Sequence, residues 1–163
     1  MSFANSGIIG ANYSLTGTTA KYALGQTTEA SDGQKWVYIF AQEDLPADGW
    51  VLANNQYKAL KSHQTEVVAG YGTLAITPYA IASGSYGWAV YDGTASAKFN
   101  TVAQTTISAG LAVGISATAT GALSLYTTST QIQVGGVMTT ASASGAVTVV
   151  ATLNNPHLIL PRN

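Results

Sequence analysis

The stretch that most constrains this chain is residues 84–93, GSYGWAVYDG. Gly84, Gly87 and Gly93 bracket Trp88-Ala89-Val90-Tyr91, and aromatic and β-branched side chains suit a pleated, half-buried surface. Asp92-Gly93 offers the positive-φ position that a two-residue hairpin turn requires. We therefore read a strand that ends in a tight turn at Asp92-Gly93 and opens an antiparallel meander through Thr94–Val102 and Leu111–Ile115. An earlier segment repeats the plan: Asp32-Gly33, the strand Trp36-Val37-Tyr38-Ile39-Phe40, the breaker Leu45-Pro46-Ala47-Asp48-Gly49, and then Trp50-Val51-Leu52.

Alternation puts the rings of Trp36, Tyr38 and Phe40 on one face and Val37 and Ile39 on the other, so both faces of this strand are expected to be covered. Pro46 and Gly49 predict a surface turn, and Asn54-Asn55 a second turn before Tyr57–Leu60. Residues 61–70 read as a loop or a short strand. A strand over 70–79 stops at Pro78. Beyond Gly110, apolar and Thr-rich segments at 111–115, 122–127, 131–138 and 146–153 have the short, regular spacing of a sandwich or barrel. Helix is scarce, and the one helical turn the pattern allows lies near Thr139–Ser144. Asn154-Asn155-Pro156 reads as a turn before an apolar tail that is either a last edge strand or a docking peptide. The expected fold is all-β, a compact β-sandwich or small barrel of short antiparallel strands. Residues 1–22 are expected to form an extended N-terminal arm, and residues 23–163 the β domain, with an optional division into two subdomains near residue 100.

Charge sharpens the picture. Charged residues make up 8% of the chain, against about 25% in ordinary globular proteins. Every Asp and Glu lies between Glu29 and Asp92, and only Arg162 is charged after Lys98. A monomer usually covers its surface with more charge, so part of this exterior is expected to be buried against other chains. The neutral strands between 111 and 153 are the candidates for self-association. With a net charge of −1 there is no basic footprint for a nucleic-acid backbone. No apolar run approaches the roughly 18 residues of a membrane helix, no basic secretory leader precedes Lys21, and no cysteine is present. The expectation is a chain with neither a nucleic-acid nor a membrane partner.

Residues capable of chemistry are few. His63 stands between Ser62 and Glu66, but no Gly-x-Ser-x-Gly elbow surrounds any serine, and a solvated loop histidine is the simpler reading. His157 has no ligand partner at metal spacing. Glu43, Asp44 and Asp48 form the one local acidic cluster without the ordered spacing of a calcium loop, so a solvated turn is expected there. Gly70-x-Gly72 and Gly135-Gly136 lack the patterns of phosphate loops. We expect no enzyme and no cofactor. Trp36, Trp50, Trp88, Tyr38, Tyr86 and Tyr91 invite a carbohydrate-stacking reading, against which stands the filling of a core or the anchoring of a subunit interface. Trp36, Tyr38, Trp88 and Tyr91 are taken as core or interface aromatics.

Two blocks carry a resemblance to a known family. ALGQTTEASDGQKWVYIFAQEDLPADGWVL, from Ala23, sets Leu24-Gly25-Gln26-Thr27-Thr28 and Asp32-Gly33 before an aromatic strand; SYGWAVYDGTASAKF, from Ser85, leads towards the turn Ser108-Ala109-Gly110. Over roughly residues 23–125 the chain resembles the small proteins of tailed bacteriophages that decorate and cement the capsid. The resemblance implies a structural virion protein, made in the host cytoplasm and placed on the outer capsid surface. There it would stabilise the head by bridging subunits of the major capsid protein. A homotrimer matching local threefold positions follows from the same resemblance. Within the arm, the isolated hydrophobes Phe3, Ile8, Ile9 and Tyr13 are the expected shell contacts. The alternative is a phage surface fibre or a carbohydrate-binding module.

Overall fold

The computed structural model describes residues 11–68, 70–100, 106–107, 113–115, 121–125, 132–139, 143–144 and 146–159. The chain is all-β, as the alternation predicts. Its strands are β1 (Thr27–Glu29), β2 (Lys35–Ala41), β3 (Gly49–Ala53), β4 (Lys58–Lys61), β5 (Thr73–Thr77) and β6 (Tyr86–Asn100), followed by β7 (Thr106–Ile107), β8 (Val113–Ile115), β9 (Leu123–Leu125), β10 (Ile132–Thr139), β11 (Ala143–Ser144) and β12 (Ala146–Ile159). One short helix, α1 (Gln64–Val68), lies between β4 and β5. β7 and β11 form a separate two-stranded ladder.

The main pairings close two rings that share β6: β2-β4-β3-β5-β6 and β6-β12-β10-β8-β9. An odd ring cannot alternate strand direction all the way round, so each must contain a parallel pair. Those pairs are β2–β4 and β6–β9, and the other neighbours in both rings are antiparallel. The two aromatic strands of the sequence echo are themselves neighbours, with Tyr38 opposite Trp88 and Phe40 opposite Tyr86.

The two faces of the first ring carry different side chains. Val37, Ile39, Ala41, Val51, Ala53, Ala59, Ala75 and Ala89 form one buried cluster, completed by Leu45 and Ile81. A small closed ring has a narrow interior, and this alanine-rich face is the one that fits inside it. Leu45 and Ile81 exchange backbone hydrogen bonds of 2.8 and 3.0 Å between the flanking loops. The opposite face, with Trp36, Tyr38, Trp50, Leu52, Leu74, Ile76, Trp88 and Val90, joins the second ring's Ala97, Phe99, Ile115, Leu123, Val134 and Leu153 in one larger cluster. This core draws on residues from both sides of position 100. The seam is stitched by Trp50 N–H to Gly121 C=O at 3.0 Å and Lys98 N–H to Asp48 C=O at 2.7 Å.

Four expectations are corrected. Asp92-Gly93 is not a hairpin turn: β6 runs straight through it for 15 residues. Lys35 faces Asp92 while Trp36 faces Val90, so an extra residue bulges on β6, and Gly93 has φ 103°. The bulge has a packing reason. Before it the even residues Trp88 and Val90 face the large core; after it the odd residues Ala95, Ala97 and Phe99 do. Without the extra residue the period of two would turn the second half of the strand inside out. Second, Asn154-Asn155-Pro156 is an irregularity within β12 rather than a turn, since Leu153 pairs with Val137 and His157 with Gly135. Third, the helical turn lies at Gln64–Val68, whereas Thr139 ends β10 and Ala143-Ser144 form β11. Fourth, β6 and β12 are not short strands.

The predicted arm differs in its second half. Residues 1–10, with Phe3, Ile8 and Ile9, lie outside the described residues. Residues 11–22 do not extend away from the domain. They fold back over Trp36, Tyr38 and Trp88, and Gly17 exchanges backbone hydrogen bonds of 3.2 and 2.8 Å with Tyr86.

Candidate functional site

The aromatic face of the first ring is a packed surface. Trp36, Tyr38 and Trp88 are 6%, 3% and 1% exposed, which places them in the core. Tyr13 stacks on Trp36 with centroids 4.4 Å apart and planes at 16°, and meets Trp88 edge-on at 5.8 Å. Tyr22 covers the other end, 5.2 Å from both Tyr38 and Trp88. Tyr13 is therefore engaged within its own chain. Tyr91 is half-buried at the bulge, and partial burial holds its phenol above the ordinary tyrosine pKa; the Asp92 and Glu29 carboxylates act in the same direction and Lys35 opposes them. Lys35 and Asp92 form an ion pair of 3.8 Å.

The residues considered for chemistry are dispersed. Nδ1 of His63 lies 2.9 Å from the Thr65 hydroxyl and accepts the Thr65 N–H at 3.3 Å, so His63 caps the start of α1. The Ser62 side chain is 0% exposed, and a hydroxyl closed off from solvent cannot serve as a nucleophile in this conformation. Glu43 binds Lys61 twice, accepting its backbone N–H at 2.7 Å and pairing with its ammonium at 3.2 Å. Asp44 accepts the Ser83 N–H at 2.8 Å. Asp48 sits apart, so the acidic cluster of the sequence does not converge. Among the described residues no three His, Cys, Asp or Glu side chains gather as metal ligands, and no helix is long and apolar enough to cross a membrane.

Three surface features remain. The first is a cleft of about 370 Å³ where the two rings meet. The first ring and its loops contribute Gln34, Trp36, Asp48, Pro78 and Tyr79; the second contributes Thr94, Ala95 and Ser96 from β6 and Val150 from β12. Asp48 is held in the left-handed region, φ 55°, by the turn Pro46–Gly49. Gln34 Nε2 donates to the Thr94 carbonyl at 2.6 Å, which fixes its amide across the mouth of the bulge. Sequence reasoning did not gather these residues, because they come from five separate segments. The left-handed Asp48-Gly49 corner and the exposed ring of Tyr79 after Pro78 are the available local signals.

The second feature is the outward face of β12 and its neighbours. Thr148 and Val150 are exposed, Thr152 is partly exposed, and Met138, opposite Thr152 on β10, is 60% exposed. On the other side Thr148 pairs with Lys98, Val150 with Ser96 and Thr152 with Thr94, so the one charge beside this face comes from β6. This face carries methyls and hydroxyls but no charge along β12 or β10. The third is a smaller cleft of about 300 Å³ lined by Thr27, Thr28, Glu29, Lys35 and Tyr91. No protein-family model matches this chain, and no curated protein matches it either.

Proposed function

We propose that this chain is a structural virion protein that binds the outer surface of a phage capsid and stabilises it by bridging shell subunits. The observation that carries the reading is the uncharged outer face of β12 and β10, with Met138, Thr148 and Val150 exposed and no charged residue between Lys98 and Arg162. An extended neutral face of β-branched side chains, Met and Thr suits burial against another chain, since little charge has to be desolvated. The resemblance of residues 23–125 to capsid-decorating proteins supplies the partner, the major capsid protein, and the trimeric assembly.

The mechanism is avidity. Several weak sites on one symmetric oligomer engage adjacent shell subunits, and each later contact forms at high effective concentration. Phe3, Ile8 and Ile9 are the shell contacts in this proposal. Tyr13 acts differently: following that segment, it anchors its C-terminal end on the aromatic face of its own domain. β12 and its neighbours supply the self-association face.

The experiment is light scattering of the purified protein alone and after mixing with empty shells. A trimer in solution, or a monomer that assembles on the shell, supports the reading. Met138→Glu places a charge on the exposed face and is expected to lower oligomer mass without unfolding the domain. Deleting residues 2–10 is expected to reduce shell binding while leaving Tyr13 in place. A persistent monomer that never binds shells refutes the proposal.

A further inference from the structure

We propose that the cleft between the two rings binds a neutral saccharide. Its volume of about 370 Å³ lies within the roughly 300–1,000 Å³ typical of small-ligand sites. A sugar presents flat C–H faces and a rim of hydroxyls, so a site for it needs an apolar plane beside fixed hydrogen-bonding groups.

The cleft has both. Tyr79 is a large ring left 47% exposed, next to Pro78, with no ring partner among the described residues. An exposed ring beside a rigid residue offers a stacking plane at little entropic cost. The polar groups are held in place. The Asp48 backbone is fixed by its carbonyl's 2.7 Å bond from Lys98 N–H, and its carboxylate has no hydrogen bond or ion pair among the described residues. Gln34 spends one amide hydrogen on the Thr94 carbonyl and keeps its Oε1 as an acceptor. The Ser96 hydroxyl likewise has no partner among the described residues and adds a group that both donates and accepts.

Charge selects the ligand class. Among the described residues that line the cleft, Asp48 alone is charged. The Asp48 carboxylate disfavours an anionic group placed directly against it, and it accepts paired hydroxyls of a neutral sugar ring. The cleft shares Thr94, Ser96 and Val150 with the face proposed for self-association, so a copy docked there would narrow it, and glycan binding is therefore read on both the parent and the Met138→Glu variant.

The test uses the full chain on an array of neutral glycans built from glucose, galactose, mannose, rhamnose and N-acetylhexosamine units. Sialyllactose and a tetralysine peptide serve as charged probes. Positives are titrated in solution, with the Trp36 indole resonance as the reporter, because Trp36 lines the cleft. At least one neutral glycan is expected to bind saturably, with Kd in the millimolar range or tighter. Tyr79→Ala is expected to weaken it at least tenfold, and Asp48→Asn severalfold, in variants whose amide spectra remain those of the folded protein. Array silence overturns the proposal. So does binding that Tyr79→Ala leaves unchanged, equal affinity for sialyllactose, or binding of tetralysine alone. Oligomer mass and shell binding are measured separately, so failure here leaves the capsid reading standing.

Discussion

Removing the Tyr13 ring tests whether the N-terminal segment is part of the domain. Tyr13 makes two aromatic contacts, a stack on Trp36 at 4.4 Å and an edge contact with Trp88 at 5.8 Å. Each such pair is worth about 0.5–1.5 kcal/mol beyond the area it buries. Truncating a fully buried ring to Ala costs about 3–5 kcal/mol, and Tyr13 is only partly buried. Tyr13→Ala is therefore expected to cost about 2–3 kcal/mol. The hydroxyl lies 3.5 Å from Thr28 Oγ1, too far for much energy, so Tyr13→Phe should stay within about 0.5 kcal/mol of the parent. In urea, with a slope of about 2 kcal/mol/M, the Ala variant's midpoint should fall by about 1 M with the slope unchanged. A shift of less than about 0.2 M would refute the packing argument and return residues 11–22 to the status of a free arm. The result also governs how truncations are read. Deleting residues 2–20 would remove Tyr13 together with the Gly17–Tyr86 bonds, so lost shell binding would not separate lost contact from lost stability.

Gly93→Ala places a side chain at φ 103°, with its Cβ 3.0 Å from the Gln34 backbone. The expected loss is about 1–3 kcal/mol, read by thermal or urea unfolding, and an unchanged midpoint would mean that the strand does not require the positive φ at Gly93. Tyr91 gives a pH signature. Its raised folded pKa means that the neutral phenol is favoured in the native state, so the associated stability is complete below the unfolded value of about 10 and is lost as pH rises through the folded pKa. Tyr91→Phe should therefore remove that component of the alkaline decline in stability, and absorbance titration should show a phenol ionising later than free tyrosine. Parallel alkaline stability curves for the two proteins would contradict the assignment.

Much of the local structure was legible because it follows from side-chain period and turn chemistry. Trp36, Val37, Tyr38 and Ile39 alternate between two buried clusters, as their spacing predicts. Pro78 ends β5, and the corner at Pro46–Gly49 turns the chain into β3. The misreading at Asp92-Gly93 has a clear cause. Asp32-Gly33 and Asp92-Gly93 look alike in sequence, yet Gly33 lies in the loop between β1 and β2 with φ 83°, while Gly93 lies just past the bulge at Tyr91, within a continuous strand. Both uses need a glycine, and the dipeptide does not encode whether the chain reverses or merely changes face. Residues 64–68 were open between loop and strand because five residues show too little of a helical period.

The sequence by itself determined the strand-forming segments, the concentration of charge before residue 100, and the two-sided burial of the aromatic strand, because these depend on neighbours one to four residues apart. Only the tertiary structure decided that β6 belongs to two rings, that Tyr13 packs on Trp36, and that Gln34, Asp48, Tyr79 and Ser96 line one cleft. Ring closure requires Phe40 to meet Lys58 and Phe99 to meet Leu123 in parallel register, and such pairings depend on distant segments satisfying one another's backbone groups at once. That condition is a property of the whole closed sheet, and no local window of residues contains it.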